Sequence, residues 1–195
     1  MKKLSPQIAE TRARWLAQTA SACLVDEARL SPKPGLVDSR GNGAHQDLNL
    51  ALMERSARSL QPTFHALAQQ SWRRPADIAL RETIGRLGRE GEAQMMQATS
   101  GVNTHRGAIW ALGLLVSATA MLGGESHAQK ITETAAALAR LPDAGAPKTF
   151  SKGLRASRRW QVPGALFRTS PPWRCRSSCA AGPRGPARSR PVLTR

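Results

Sequence analysis

Residues 100–124 read SGVNTHRGAIWALGLLVSATAMLGG. A polar stretch, 100–107, runs straight into an apolar one, and Gly123 and Gly124 close it. The apolar run from Ala108 is interrupted by Ser117, Thr119 and three glycines. It falls short of the ~20 apolar residues that cross a bilayer. The reading is a core helix over 108–122 with other helices packed around it, and no membrane span. Composition agrees. Ala, Leu, Gln, Glu and Arg dominate, β-branched residues are sparse and Tyr is absent, a mixture that favours helix over sheet.

Working outward, every readable segment is helical. Pro75 opens a helix with Ile78, Ile84, Leu87 and Met95 as core candidates, ending near Thr99. Before it, a helix after Asp47 places Met53, Ala57, Leu60, Phe64 and Leu67 on one side, with a bend expected at Pro62. Ser5 and Pro6 form a helix start. Leu16, Ala20, Cys23 and Glu27 then share a face, which makes Cys23 a small buried residue and leaves Glu27 at the end of an apolar stripe. Ile131 to Leu141 is the last helix, closed by Pro142. No internal repeat is visible. The fold class is all-α, one helical domain with two polar loops.

The net charge of +16, taken whole, suits a nucleic-acid binder. Its distribution does not. Residues 1–147 hold 17 of the 29 basic residues and all 13 acidic ones, while 148–195 hold 12 basic residues and no acid. Residues 166–195 carry seven arginines, five prolines and no apolar period, which reads as a disordered or out-of-frame basic tail. Cys175 and Cys179 make a CxxxC pair with no second pair to complete a zinc site. Two N-terminal lysines without an apolar run are no signal peptide. A reduced, cytoplasmic protein with no membrane partner is expected. His65 and His127 have no supporting neighbours and read as surface residues.

Two loops are dense in chemistry. Pro32-Lys-Pro-Gly-Leu-Val-Asp-Ser-Arg-Gly-Asn-Gly-Ala-His-Gln-Asp47 breaks the first helix and gathers Lys33, Asp38, Arg40, Asn42, His45 and Asp47. Cations beside carboxylates, with Gly and Pro, suit a polyphosphate with a divalent ion; a surface loop with ordinary turn residues is the plain alternative. Gly101-Val-Asn-Thr-His-Arg-Gly107 places Asn103, Thr104, His105 and Arg106 before a helix start, where free N–H groups and the dipole favour an anion. Arg106 adds a bidentate contact. Simple capping by Asn103 and Thr104 is the alternative. Glu92, Met95 and Thr99 share one helical face that heads for this second loop.

The stretch from Glu27 through Ser31-Pro-Lys-Pro-Gly-Leu-Val-Asp38 to Asn42-Gly-Ala-His45-x-Asp47 resembles the triphosphoribosyl-dephospho-CoA synthase family. So does the block Glu92-x-x-Met95-x-x-x-Thr99-x-Gly-Val-Asn-Thr-His-Arg-Gly-Ala-Ile-Trp110-Ala-Leu-Gly113. The resemblance covers residues 8 to 165. It implies an all-helical transferase that converts ATP and 3′-dephospho-CoA to 2′-(5″-triphosphoribosyl)-3′-dephospho-CoA and releases adenine. The product is a precursor of the prosthetic group of an acyl carrier subunit, passed on by a prosthetic-group transferase, in malonate decarboxylase or citrate lyase systems, with a lean to the malonate branch. On that resemblance Asp38, Asp47 and Glu92 are the catalytic candidates, with Asp38 and Asp47 as Mg²⁺ ligands. Lys33, His105 and Arg106 are phosphate contacts, Asn42, His45, Asn103 and Thr104 hold substrate, and Glu27 supports them.

After Ala165 the family pattern stops, and its later helices are missing. The expected division is a synthase-like domain over 1–165, incomplete at its end, and a tail over 166–195. A chain so cut is expected to fold poorly or to be inactive. A nucleotide-binding remnant and a basic nucleic-acid binder are the competing readings.

Overall fold

The computed structural model describes residues 6–124 and 126–146. Six α-helices follow in order: α1 (Pro6–Arg29), α2 (Leu50–Ser59), α3 (Gln61–Ser71), α4 (Ile78–Ala98), α5 (Arg106–Met121) and α6 (Ala128–Arg140). Among the described residues there is no strand, only one isolated bridge between Asp38 and Gly41. The described residues all belong to one compact unit, 1–147. The expected boundary at 165/166 and the cysteine pair of the tail lie outside them.

The expected core helix is α5, and it starts two residues earlier than its apolar run. It packs against α1, α3, α4 and α6. Ile109, Gly113, Leu114, Val116, Ser117, Ala118 and Ala120 are buried along it. α3 also touches four helices, and Phe64 and Leu67 bring it into the same core. Each fully buried Leu or Phe contributes about 1.5–3 kcal/mol relative to exposure, and Leu60, Phe64, Leu67, Leu80, Met95 and Leu138 are all fully buried.

Several expectations need correction. Cys23 is exposed. The buried stripe of α1 is Ala13, Leu16, Ala17, Ala20, Ser21, Leu24, Val25 and Ala28. At about 100° per residue this arc is centred near Ala17 and Leu24, so Leu16 sits at its edge and Cys23 just beyond it. Glu27 does lie within the angular span of the stripe, between Leu16 and Ala20, but two residues from the end of α1 it is exposed. The helix expected after Asp47 is two helices, joined at Leu60, which ends α2 and starts α3. Pro62, in the first turn of α3, has no N–H for a continuing ladder. Ile78 is exposed, because the helix expected from Pro75 begins with Asp77 as its cap, whose carboxylate accepts from the Leu80 N–H at 2.7 Å. His65 is half-buried, with Nε2 3.2 Å from Glu10 Oε1.

No helix among the described residues is long and apolar enough to cross a membrane. One polar cluster locks α6 to α4. Asp143, just past α6, accepts from Arg81 Nη1 at 3.1 Å and Arg89 Nη1 at 3.0 Å. The Arg81 guanidinium also lies 4.7 Å from the centre of the Trp110 ring, a cation–π distance. Gly85 makes the approach possible, since a Cβ there would overlap the Asp143 carboxylate.

Candidate functional site

The first polar loop follows the C-terminus of α1 and is built around Asp38. This side chain is 4% exposed. Its carboxylate accepts from the Lys33 N–H at 3.0 Å, the Arg40 N–H at 2.8 Å, the Ser31 hydroxyl at 3.0 Å and Arg40 Nε at 3.2 Å. The two backbone N–H groups, Lys33 first, hold this carboxyl well below the usual carboxylate range because they bond only its charged form. Asp38 thus shapes the loop. Gly43 closes it: its φ is +60°, and a Cβ there would come within 2.5 Å of the Leu36 carbonyl oxygen. No L side chain fits.

Lys33 turns back onto the helix it follows. Its Nζ donates to the Glu27 carbonyl at 2.8 Å and lies 3.2 Å from Glu27 Oε1. A cation at the last carbonyls of a helix is favourable. Two of the three ammonium protons are used, so one is left for an incoming oxygen. Asn42 is exposed. His45 Nδ1 lies 4.0 Å from Asp47 Oδ1, and the Asp47 side chain is 69% exposed.

The second loop joins α4 to α5. The Thr99 hydroxyl lies 2.8 Å from the Met95 carbonyl and 2.6 Å from that of Val102, and Gly101 N–H returns to Met96 O at 2.8 Å. Asn103 Oδ1 accepts from the Arg106 N–H at 3.3 Å. Asn103 lies two positions before the cap residue of α5, His105, whose own side chain makes no capping bond. The Arg106 guanidinium is ion-paired with Glu92 of α4.

His105 is the centre of this loop. It is 4% exposed. Nδ1 lies 2.8 Å from Ser56 Oγ of α2, and that hydroxyl lies 2.5 Å from Thr104 Oγ1. The His105 N–H points at Met95 Sδ, 3.2 Å away. Burial pushes the imidazole below its ordinary value; Glu27 pulls it up and Lys33 adds to the lowering. Glu27 at the end of α1 and Lys33 of the first loop are therefore within electrostatic reach of the ring of the second.

Ser56 is the residue sequence reasoning missed. Its signal was a small polar residue between Leu52 and Leu60 on an otherwise apolar face. Arg29, Arg58 and Glu54 form a neighbouring network, with Glu54 accepting from Arg29 Nε at 2.5 Å and Arg58 Nη2 at 2.7 Å.

Comparison with known proteins agrees with the geometry. A family model described as CitG, ATP:dephospho-CoA triphosphoribosyl transferase, matches residues 13–160. The 2-(5''-triphosphoribosyl)-3'-dephosphocoenzyme-A synthase of Klebsiella pneumoniae is 86% identical over 165 residues, 85% of this chain and 59% of that protein. A relative in Stutzerimonas stutzeri strain A1501, named "Probable 2-(5''-triphosphoribosyl)-3'-dephosphocoenzyme-A synthase", is 56% identical over 85% of this chain and 57% of its own length. One of the same name in Azotobacter vinelandii is 53% identical over 82% and 54%. The chain therefore spans little more than half the length of these relatives. No solved structure matches.

Proposed function

This chain belongs to the ATP:dephospho-CoA triphosphoribosyl transferase family, and from that premise we propose that it transfers the triphosphoribosyl group of ATP to 3′-dephospho-CoA. In this reaction the 2′-hydroxyl oxygen of dephospho-CoA bonds to the anomeric carbon of the ATP ribose. The bond from that carbon to adenine breaks, and adenine leaves. The triphosphate stays on the sugar throughout.

The observation that supports this reading best is the buried His105 ring of the second loop, tied to Ser56 of α2 and within electrostatic reach of Glu27 and Lys33. A triphosphate needs cations that are held but not saturated. Lys33 keeps one ammonium proton, and Arg106 has five donors, part of which Glu92 takes. Asn42, His45, Asn103 and Thr104 are the groups to orient ribose and pantetheine-side hydroxyls. Positive charge develops on the ribose as adenine leaves, and a nearby carboxylate stabilises it; Asp47 and Glu92 are the candidates. Asp38 is assigned a positioning role, since its oxygens are occupied by the donors that set the loop.

Magnesium is a separate matter. The described residues contain no group of three or more His, Cys, Asp or Glu placed to hold a metal ion, and Asp38 already accepts three hydrogen bonds on Oδ2 and one on Oδ1. No step here uses a resident magnesium ion. Magnesium arriving on the triphosphate is substrate.

The biological setting follows from the product. We assign it to the cytoplasmic assembly of a prosthetic group for an acyl carrier subunit, of malonate decarboxylase or citrate lyase, downstream of which a prosthetic-group transferase acts. Asp47→Ala tests the carboxylate assignment. Adenine release from ATP and dephospho-CoA is expected to fall about 10²-fold, the small end of electrostatic transition-state stabilisation; an undiminished rate removes Asp47.

A further inference from the structure

The carboxylates considered for accepting the attacking hydroxyl's proton are each engaged or remote. Asp38 accepts four hydrogen bonds. Glu92 is paired with Arg106. Asp47 stands in solvent. His105 is different. Its ring is buried, and Nε2 is a buried atom with no hydrogen-bond partner. An unpaired polar atom in such a place costs free energy until a ligand satisfies it. The other nitrogen is held from behind by Ser56, itself held by Thr104.

We propose that His105 is the general base of the transfer, its Nε2 accepting the proton of the attacking 2′-hydroxyl while Ser56 holds Nδ1–H. This rests on the transferase reading above. In the tautomer required, Nδ1–H donates to Ser56 Oγ, the Ser56 hydroxyl donates to Thr104 Oγ1, and Nε2 keeps its lone pair. As the hydroxyl oxygen bonds to the anomeric carbon, its proton moves to Nε2. The electron pair of the breaking carbon–nitrogen bond leaves with adenine. The proton then passes from Nε2 to the adenine nitrogen, and the imidazole is neutral again. No oxidant or further reactant is needed.

The surroundings suit this cycle. A base must be neutral at the start, and burial keeps it so. The charged groups acting on the ring are Glu27 from α1 and Lys33 from the first loop. From α2 and α4 its neighbours are Ser56 and Met95, which carry no charge. Glu27 favours the imidazolium that forms, and Lys33 favours its discharge. A neutral buried ring is a poor counter-charge for phosphate, so His105 leaves that duty to Lys33 and Arg106.

The experiment uses the full chain with ¹⁵N-labelled histidine. The His105 Nε2 resonance, identified by its loss in His105→Gln, is expected in the unprotonated range and is expected to shift when dephospho-CoA is added. A protonated Nε2, or one that dephospho-CoA leaves unmoved, overturns the proposal. In turnover, His105→Gln is expected to lower adenine release about 10²–10⁴-fold while ATP binding is retained. Ser56→Ala is expected to lower kcat and move the acid limb of its pH profile, with KM for ATP unchanged; a purely structural serine would leave that limb in place. The two failures are distinct. No adenine from the wild-type chain sinks the transferase reading. Release by the wild type that His105→Gln leaves intact sinks the assignment of His105.

Discussion

The two ends of α4 each bury a polar side chain, and they handle it in opposite ways. Near its N-terminus Arg81 is charged and answered: Asp143 takes its proton-bearing nitrogen, Arg89 shares the carboxylate, and Trp110 covers its face. Only Nε of Arg81 lacks a partner. Some 14 residues on, about 21 Å along the helix, Met95 lies beneath His105, a buried ring that burial keeps neutral and that has one nitrogen open. The first end is neutralised in place and its consequence is stability. The second keeps its charges, Glu27 and Lys33, at the margin and leaves an atom for a ligand. The contrast teaches that burial of a polar group marks a site only when its chemistry is left incomplete.

The largest expected effect falls on the first end. Asp143→Ala leaves Arg81 buried without its counter-charge, which costs about 3 kcal/mol. Denaturant unfolding should show it as a lower midpoint, while adenine release per folded molecule is retained. A loss of turnover without a loss of stability would reverse the roles of the two ends. Gly85→Ala is expected to do less, about 1–3 kcal/mol, because its Cβ would push aside the Asp143 carboxylate and crowd Arg81 Nη1 without removing either charge.

The smallest effect is the pH dependence of the second end. The folded state holds the His105 pKa below the ordinary value of about 6.5. The unfolded chain therefore binds the proton first. Stability from this group is complete above pH ~6.5 and declines as the pH falls below it. His105→Gln should flatten that slope in unfolding curves between pH 7 and 5. A slope equal to the wild type's would mean that the ring is not desolvated as described.

Much of this was legible beforehand. The apolar run after Gly107 announced α5, and the spacing of Glu92, Met95 and Thr99 announced that α4 delivers a carboxylate to the second loop, where it meets Arg106. Capping by Asn103 was the plain alternative; Asn103 bonds the first N–H of α5, while the cap position itself is His105. What failed had a common cause. In α1 half of the buried positions are alanines, which carry little hydrophobic signal, so the stripe was centred on Leu16 and drew in Cys23. Ser56 meets His105 across 49 positions, and Arg81 meets Asp143 across 62. No local period encodes such pairs; they exist only once the helices have packed. Asp38 looked like a free acid because two of the four donors that occupy it are backbone N–H groups, which every residue but proline carries.

The measurement that tests the central claim most directly is adenine release by the full chain, with ATP present, as dephospho-CoA is titrated in. Adenine equimolar with the dephospho-CoA consumed, retained in Asp143→Ala and lost in His105→Gln, is the predicted result, against the inactivity expected from the sequence of a chain that leaves the family pattern after Ala165, because both polar loops lie within the described residues. Adenine released at the same rate without dephospho-CoA, or none released with it, would contradict the account.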